Sequence, residues 1–561
     1  MPATVHRAPG AGAVLAPELR LATVPKFRHD GAMFNATPIL RLIAARRAGV
    51  LTRQDPATTQ RAQLRTLVAT AARTRFGRDH DFDSIRTVAD FQARVPLRTY
   101  PELWETYWKP TFPRIENATW PTPTRYFAVS SGTSSGKTKY LPVSPEMIRS
   151  NAKAGTDLLI HHVLNRPKSR LLSGRSFFLG GSTDLVAEAP GFWSGDLSGI
   201  SAKTLPLWAK LRYFPPAKLA LIKNWEEKID TLAHASRRET ITMVSGVPAW
   251  LLIFCKKMSA IVPGATDRIA SFYPDLEMLV HGGVNFAPYR RQFESLLEGS
   301  HAELREVYPA SEGFIALADR GTGEGLRVML DHGIFYEFVP LEELNSPNPT
   351  RHWIDTIEIG VNYAIVLSTC AGMWGYVIGD TVRFIDRTPP RLLVTGRTSY
   401  YLSAFGEHLI AEEIDDGVST AAGIIGATVT DYSVGALFPA ETGSLGRHLF
   451  TVEFAGVSPD RAALDLFAAT LDQRLQERND DYQAHRAEGF GLDTPLIEAV
   501  PPGTFAGWMK SRGKLGGQHK VPRIITDADL LADLRAYTAP LLDKRLNNAR
   551  RAPPTSGPAA D

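Results

Sequence analysis

Ten consecutive residues, Ser130 to Lys139, consist only of serine, threonine, glycine and lysine. Gly132 and Gly136 let a backbone turn closely enough for its N–H groups to point at phosphate oxygens. The hydroxyls of Ser131, Thr133, Ser134 and Ser135 add donors, and Lys137 and Lys139 add positive charge. Upstream, Tyr126 to Val129 reads as a short buried strand. Downstream, Thr138 to Val143 reads as a second strand, because Pro142 opposes a helix. Ser144 followed by Pro145 then has the N-cap and first-turn signature of a helix. The stretch is predicted to be strand, glycine loop, strand, and a phosphate-cradling hairpin suits it. A Walker loop needs four residues between its glycines and a helix after them, and neither condition is met. Gly132-Thr-Ser-Ser-Gly136 matches the G-x-S-x-G of a hydrolase elbow with Ser134 as nucleophile, but that elbow also opens a helix. An ordinary polar hairpin loop stays open.

Other residues with chemical potential lie further along. Leu304 to Tyr308 reads as a strand running into Pro309-Ala310-Ser311-Glu312-Gly313, a place where α/β folds put ligand loops. Tyr376 to Phe384 reads as a hairpin with Gly379-Asp380 at its turn. Lys514 to Arg523 is a shaped loop, with two glycines and Pro522, carrying Lys514, His519, Lys520 and Arg523. It is either a solvated basic loop or a means of delivering a lysine to a phosphate by domain closure. His281 reads as structural, although its place before Gly282-Gly283 hints at the edge of a site. Cys255 and Cys370 lie in apolar surroundings and read as inert buried thiols.

The elements that must position these groups alternate. Residues 34 to 76 read as helical, with Leu64, Leu67 and Val68 at helical spacing. Ser176–Leu179, Thr240–Ser245, Glu277–Val280 and Leu304–Tyr308 read as strands separated by helices such as Ala249–Met258. Residues 333 to 397 are strand-rich, with Ile334–Pro340 and Tyr363–Thr369 as strands, and Thr395-Gly396-Arg397 ends the region as a candidate hinge. Beyond it, Glu407–Asp416 and Arg461–Arg478 read as helices, and Val452–Phe454 and Leu496–Ala499 as strands. This implies an α/β fold with a second, smaller α+β domain. The expected boundaries are a partly disordered N-terminal extension over 1–34, a large domain over 35–396, a small mobile domain over 397–546 and a disordered tail over 547–561.

Composition bounds the rest. At 561 residues the chain is too long for one ordinary core. With 44% hydrophobic and 22% charged residues it is globular. The net charge of +4, spread rather than clustered, argues against a nucleic-acid partner. No apolar run approaches membrane-spanning length. Two cysteines without a pairing or metal pattern suit a reducing cytoplasm. We expect a cytoplasmic monomer with no membrane partner.

Taken in order, these pieces resemble the Gretchen Hagen 3 family of acyl-acid amido synthetases, within the adenylate-forming enzymes. The likeness rests on Ser130–Lys139, Tyr308-Pro-Ala-Ser-Glu312, Tyr336-Glu-Phe338, Tyr376-Val-Ile-Gly-Asp380 and Gln518-His-Lys-Val-Pro-Arg523. Phe76-Gly-Arg-Asp-His80, Val95-Pro and Gly246-Val-Pro-Ala-Trp250 also look like that family. The resemblance runs from about residue 35 to 545. It implies that Ser130, Ser131, Gly132, Thr133, Ser134, Ser135, Gly136, Lys137 and Lys139 form the ATP phosphate loop. It places Tyr308 and Ser311 by the adenine, Asp380 on the ribose and Arg397 on the hinge side. It gives Mg²⁺ to Glu312 and the adenylation step to Lys520. Trp250, Phe286 and Tyr336 are candidates for the acyl pocket. The implied reaction joins a small carboxylic acid to an amine, taken as an amino acid, at the expense of ATP. An acyl-CoA ligase sharing the adenylation step and a non-catalytic relative are the alternatives. The plant members carry Tyr-Ala-Gly-Leu-Tyr-Arg-Tyr where this chain has Cys370-Ala-Gly-Met-Trp-Gly-Tyr376, so neither the acid nor the amine carries over.

Overall fold

The computed structural model describes residues 33–131, 138–180, 184–222, 225–283, 286, 289–398, 401–402, 409–438, 446–479, 482–483, 486, 492–514 and 521–551. Its frame is a twelve-stranded sheet with two halves of different construction. In the first half, Tyr213–Phe214, β3 (Arg175–Leu179), β4 (Ile241–Gly246), β5 (Met278–Gly282) and β6 (Glu303–Ala310) are parallel neighbours. Helices pack on both faces there, so runs such as Ile241–Val244 and Met278–His281 are buried residue after residue. From β6 onward every pairing is antiparallel. β7 (Gly313–Leu317) follows, then Leu326–Val328, β9 (Pro390–Arg397), β8 (Tyr376–Arg387), Asn362–Thr369, Ile334–Pro340 and His352–Trp353.

The hairpin read from the sequence is present as β1 (Tyr126–Ser131) and β2 (Thr138–Val143), in register from Tyr126 opposite Val143 to Ser131 opposite Thr138. It joins Phe192–Gly195 and Leu185–Ala189, two strands the sequence reading missed, in a separate four-stranded sheet. The helix α3 (Pro145–Asn165) starts where the cap predicted. Ser144 Oγ accepts from the Met147 N–H at 3.0 Å and donates to the Cys370 carbonyl at 2.6 Å. The cap therefore also fastens the hairpin to the main sheet.

Four expectations need correction. The helical stretch from 34 to 76 is two main helices, α1 (Thr37–Thr52) and α2 (Pro56–Ala71), with the short turn Arg75–Asp79 after them. Asp55 caps α2 by accepting from Thr58, and Pro56 takes the first helical position, so the chain breaks there. Tyr376 to Phe384 is no hairpin but part of one twelve-residue strand, β8. The strand runs on through a bulge: the pairing to Asn362–Thr369 shifts register between Val377 and Thr381, and Gly379 sits in that bulge at φ +90°. β9 pairs from Asp380 onward, and the reversal comes instead at Thr388-Pro389. The helix expected from Glu407 begins at Ala411, after the short strand Leu409–Ile410; residues 403–408 lie outside the described ones. Finally, the terminal helix Ala528–Arg551 runs past Pro540, so residues 547–551 are helical rather than tail.

The smaller C-terminal domain has its own sheet, in the order Leu496–Val500, Arg447–Phe454, Val429–Leu437, Ile524–Ile525. One face packs on Ala411–Ile424 and Arg461–Arg478 through Ile414, Val418, Phe467 and Leu471. The other packs on Thr504–Ser511 and the terminal helix through Phe505, Trp508 and Leu534. Its apolar cores are thus separate from those under the large sheet. Among the described residues no helix is long and apolar enough to cross a membrane.

Candidate active site

A cleft of about 2160 Å³ opens at the carboxyl ends of β3 to β6 and reaches to the C-terminal domain. That is where open parallel sheets bind ligands, because the strand-to-helix loops leave the sheet there. Gly246, His281, Tyr308, Asp380 and Arg397 line it from the large sheet, and Lys514 and Arg523 from the other side.

Its polar centre is built by the ends of β6 and β9 and the interior of β8. β6 ends at Ala310, opposite Gly313 of β7, so Ser311 and Glu312 form the two-residue turn between them. The alternation of β6 puts Tyr308 in the same wall. Its hydroxyl donates to Asp380 Oδ2 at 2.7 Å. Asp380 faces Arg397 across the β8–β9 ladder, and Arg397 Nε lies 3.0 Å from Asp380 Oδ1. Burial, then the Asp380 charge, pushes the Tyr308 hydroxyl well above its usual range.

Glu312 is 7% exposed. Burial and then the Asp380 charge push its carboxyl up to about 7, and Lys139 and Arg397 only partly offset them. Lys139 comes from β2, opposite Ser130, and lines the same cleft. Burial lowers its ammonium and the charges of Glu312 and Asp380 oppose that; the ammonium lies 5.7 Å from the Tyr100 ring centroid. A buried carboxyl that lacks full compensation, beside a lysine, a second carboxylate and an arginine, suits a cation-bearing polyphosphate.

Of the residues singled out from sequence, Lys139, Tyr308, Ser311, Glu312, Asp380, Arg397 and Trp250 line this cleft. Gly132 to Lys137 and Lys520 lie outside the described residues; Ser130 and Ser131 are described as β1 backbone. Phe286 sits behind the wall, 3% exposed, stacked on His281 at 3.8 Å. Tyr336 does not reach the cleft. It is fully buried in its strand, its hydroxyl donating toward the Ile315 and Met329 carbonyls at 3.3 and 3.2 Å. Its strand, Ile334–Pro340, is buried on both faces, which the sequence alone does not give and which makes Tyr336 a packing residue.

One cleft residue, and one buried against Glu312, were given no role by the sequence reading. Tyr376, fully buried, faces the Glu312 carboxylate with its hydroxyl. Glu306 stands two residues before Tyr308, so the period of two in a strand could have found it. Gly375 also explains itself. At φ +55°, a Cβ there would lie 2.5 Å from the Pro96 carbonyl, so this chain has no room for the arginine of the plant pattern. Away from the cleft, Asp157, Asp331 and His332 are close enough together to suggest a metal site. Arg47 already lies 2.7 Å from both aspartates and Lys153 lies 2.8 Å from Asp331, so cations from the chain fill that cluster.

Residues 50–180 match the GH3 family N-terminal domain, residues 327–397 its central domain and residues 412–529 its C-terminal domain. Among curated proteins, the chain is 25% identical over 330 residues to "Indole-3-acetic acid-amido synthetase GH3.8" of Oryza sativa subsp. indica. That alignment covers 54% of either chain. It is 24% identical over 229 residues to "Indole-3-acetic acid-amido synthetase GH3.3" of Arabidopsis thaliana, covering 39% of this chain and 36% of that one. The chain thus spans about half the length of the first relative, and less of the second. Among solved structures, "AtGH3.15 acyl acid amido synthetase in complex with 2,4-DB" superposes with a TM-score of 0.74 at 16% identity, over 89% of this chain and 96% of that one. A 2-hydroxyisobutyryl-CoA ligase in the postadenylation state superposes with a TM-score of 0.57 at 15% identity, over 87% and 91%. Both share the fold. With the domains of one family matched in order along most of its length, and the fold of a solved member reproduced, the chain belongs to the GH3 family.

Proposed function

We propose that the chain is an ATP-dependent acyl-acid amido synthetase. The observation that carries the reading is the convergence of Tyr308, Glu312, Asp380, Arg397 and Lys139 on one cleft in a chain of this family. In the first step a carboxylate oxygen of the acid attacks the α-phosphorus and pyrophosphate leaves. The acid is already ionised at neutral pH, so no general base is needed. The obstacle is an anion approaching a polyanion, and the remedy is fixed positive charge and N–H donors. In the second step an amine nitrogen attacks the acyl carbon, AMP leaves with the bond electrons and the nitrogen loses a proton.

The residues divide the work by position. Tyr308 and Ser311 receive the adenine, and Asp380, oriented by Tyr308 and Arg397, accepts the ribose hydroxyls. The loop Ser130–Gly136, with Lys137 and Lys139, cradles the phosphates. Glu312 would hold Mg²⁺, which when bound neutralises the triphosphate; a buried carboxyl near neutrality fits a cation. Lys520 stabilises the adenylation transition state, and rotation of the C-terminal domain then withdraws it to admit the amine. Trp250 is on the acyl side. The large domain runs from 35 to 396 and the mobile one from 397 to the end of the terminal helix at Arg551. Two buried free cysteines, with burial pushing both thiols up to about 12, suit a reducing cytoplasm, and a monomer is the assembly proposed.

Pyrophosphate release with Mg·ATP, measured against a panel of aromatic and aliphatic acids with and without mixed amino acids, tests the reading. Release that needs an acid, with an amide product that needs an amino acid, is expected. AMP formation that depends on coenzyme A instead would turn the reading to a thioester ligase. Labelling of Ser134 by a fluorophosphonate without any need for ATP would turn it to a hydrolase.

A further inference from the structure

His281 lines the cleft, is 1% exposed, and among the described residues neither of its ring nitrogens has a hydrogen-bond partner. Buried polar groups are almost always paired, so an imidazole with both nitrogens idle beside a cavity points to something the cavity receives. The ring is held in place by stacking on Phe286 at 3.8 Å and 22°, with Phe293 at 6.2 Å. Burial, aided by the charge of Arg290, brings its pKa down to about 3, so the ring is neutral and offers one donor and one acceptor.

The sheet supplies a second polar group. In the parallel register His281 of β5 is aligned with Gly246 of β4 and Glu306 of β6, which places these positions on one face. Gly246 brings no side chain, so Glu306 is the polar neighbour of the imidazole within the sheet, and it also lines the cleft. Burial pushes its carboxyl up to about 7, so near neutrality it too both donates and accepts. Tyr308 lies two residues further along β6 on the same face, on the nucleotide side. The two groups therefore occupy the part of the cleft next to the nucleotide wall, where the acyl portion of an acid would sit.

We propose that His281 and Glu306 form a polar subsite for a hydroxyl group on the acyl portion of the acid, so that the substrate class is hydroxylated carboxylic acids rather than plain aryl or alkyl ones. The inference rests on the amido-synthetase reading of the cleft. A hydroxyl both donates and accepts, as these two groups require. An ammonium would meet the field of Arg290, which acts on His281 and Glu306 alike. A ketone only accepts, and would leave the lone pair of the imidazole unanswered.

The test is acid-dependent pyrophosphate release on matched acids: phenylacetate against its 2-, 3- and 4-hydroxy derivatives, and hexanoate against its 3- and 6-hydroxy derivatives. At least one hydroxylated acid is expected to exceed its parent in kcat/KM by roughly a hundredfold, the discrimination available to a site built to bond a hydroxyl. His281→Phe, which keeps a ring on Phe286, and Glu306→Leu are each expected to bring that ratio below about ten, while Glu306→Gln, retaining a donor and an acceptor, preserves most of it. Should His281→Phe fail to fold, by circular dichroism and melting, the Glu306 pair carries the test. Parents used as well as every hydroxylated acid would overturn the subsite and leave the synthetase reading standing. So would a preference unchanged in both His281→Phe and Glu306→Leu. No release with any acid would overturn the synthetase reading and the subsite together.

Discussion

Replacing Asp380 with alanine probes the nucleotide half of the cleft. The carboxylate accepts from Tyr308 at 2.7 Å and lies 3.0 Å from Arg397 Nε. Both contacts fix the direction in which its remaining lone pairs face the ligand. If those lone pairs receive the ribose hydroxyls, alanine removes two hydrogen bonds to a charged group, each worth about 1.5–3 kcal/mol. The Arg397 side chain is 35% exposed, so water screens the site and the lower figure applies. The loss is then about 3 kcal/mol, roughly a 150-fold fall in kcat/KM for ATP. Exchange of labelled pyrophosphate into ATP at saturating acid measures it directly. The same assay with 2′-deoxy-ATP and 3′-deoxy-ATP closes the cycle: each deoxygenation is expected to cost the parent protein roughly tenfold and the variant almost nothing. A folded Asp380→Ala protein that keeps its ATP kinetics within about twofold, or still discriminates the deoxynucleotides, refutes the assignment. A lowered melting temperature with intact kinetics would leave Asp380 the lesser task of holding Tyr308 and Arg397.

Glu312, pushed up to about 7 by burial and Asp380, makes the ligand-free protein pH-sensitive. Its folded-state pKa lies above the ordinary value of 4.5, so its contribution is fully present below that value and is lost as pH rises through about 7. Urea midpoints between pH 5 and 8 should therefore decline, and less steeply in Glu312→Gln; equal slopes would remove Glu312 as a source. Lys520→Ala should slow acid-dependent pyrophosphate release roughly 10²–10³-fold yet leave amide formation from a supplied acyl-adenylate nearly intact; equal losses in both steps would contradict a role confined to adenylation. Gly375→Ala should cost about 1–3 kcal/mol in chemical unfolding, because alanine is strained at φ +55° and its Cβ would press on the Pro96 carbonyl. An unchanged midpoint would mean the backbone there relaxes freely.

Local signals were read well wherever chemistry and geometry coincide within a few residues. Ser144-Pro145 announced the start of α3 through a cap that needs only its own helix turn. Ile334–Pro340 was legible to the residue, since seven consecutive buried positions leave a strand no other partner pattern. Gly379-Asp380 misled, because a local turn preference was absorbed as a bulge inside β8, whose ladders resume at Asp380 and Thr381. Tyr336 misled for a different cause: in a strand buried on both faces, alternation does not say which face borders a cleft.

The residue types and their order carried the family membership and the proposal of a phosphate-handling cleft, since the serine–glycine stretch, Tyr308 to Glu312 and Asp380 each bear their chemistry in their own side chains. Which of them meet was decided only by the tertiary structure. The Tyr308–Asp380 hydrogen bond spans 72 residues of sequence, and Lys139 comes under the influence of Glu312 only because a separate sheet docks beside the main one. The same holds for His281, a lone histidine until parallel pairing sets it beside Glu306. Periodicity tells a strand which residues share a face; only burial in the assembled core tells which face looks onto the ligand.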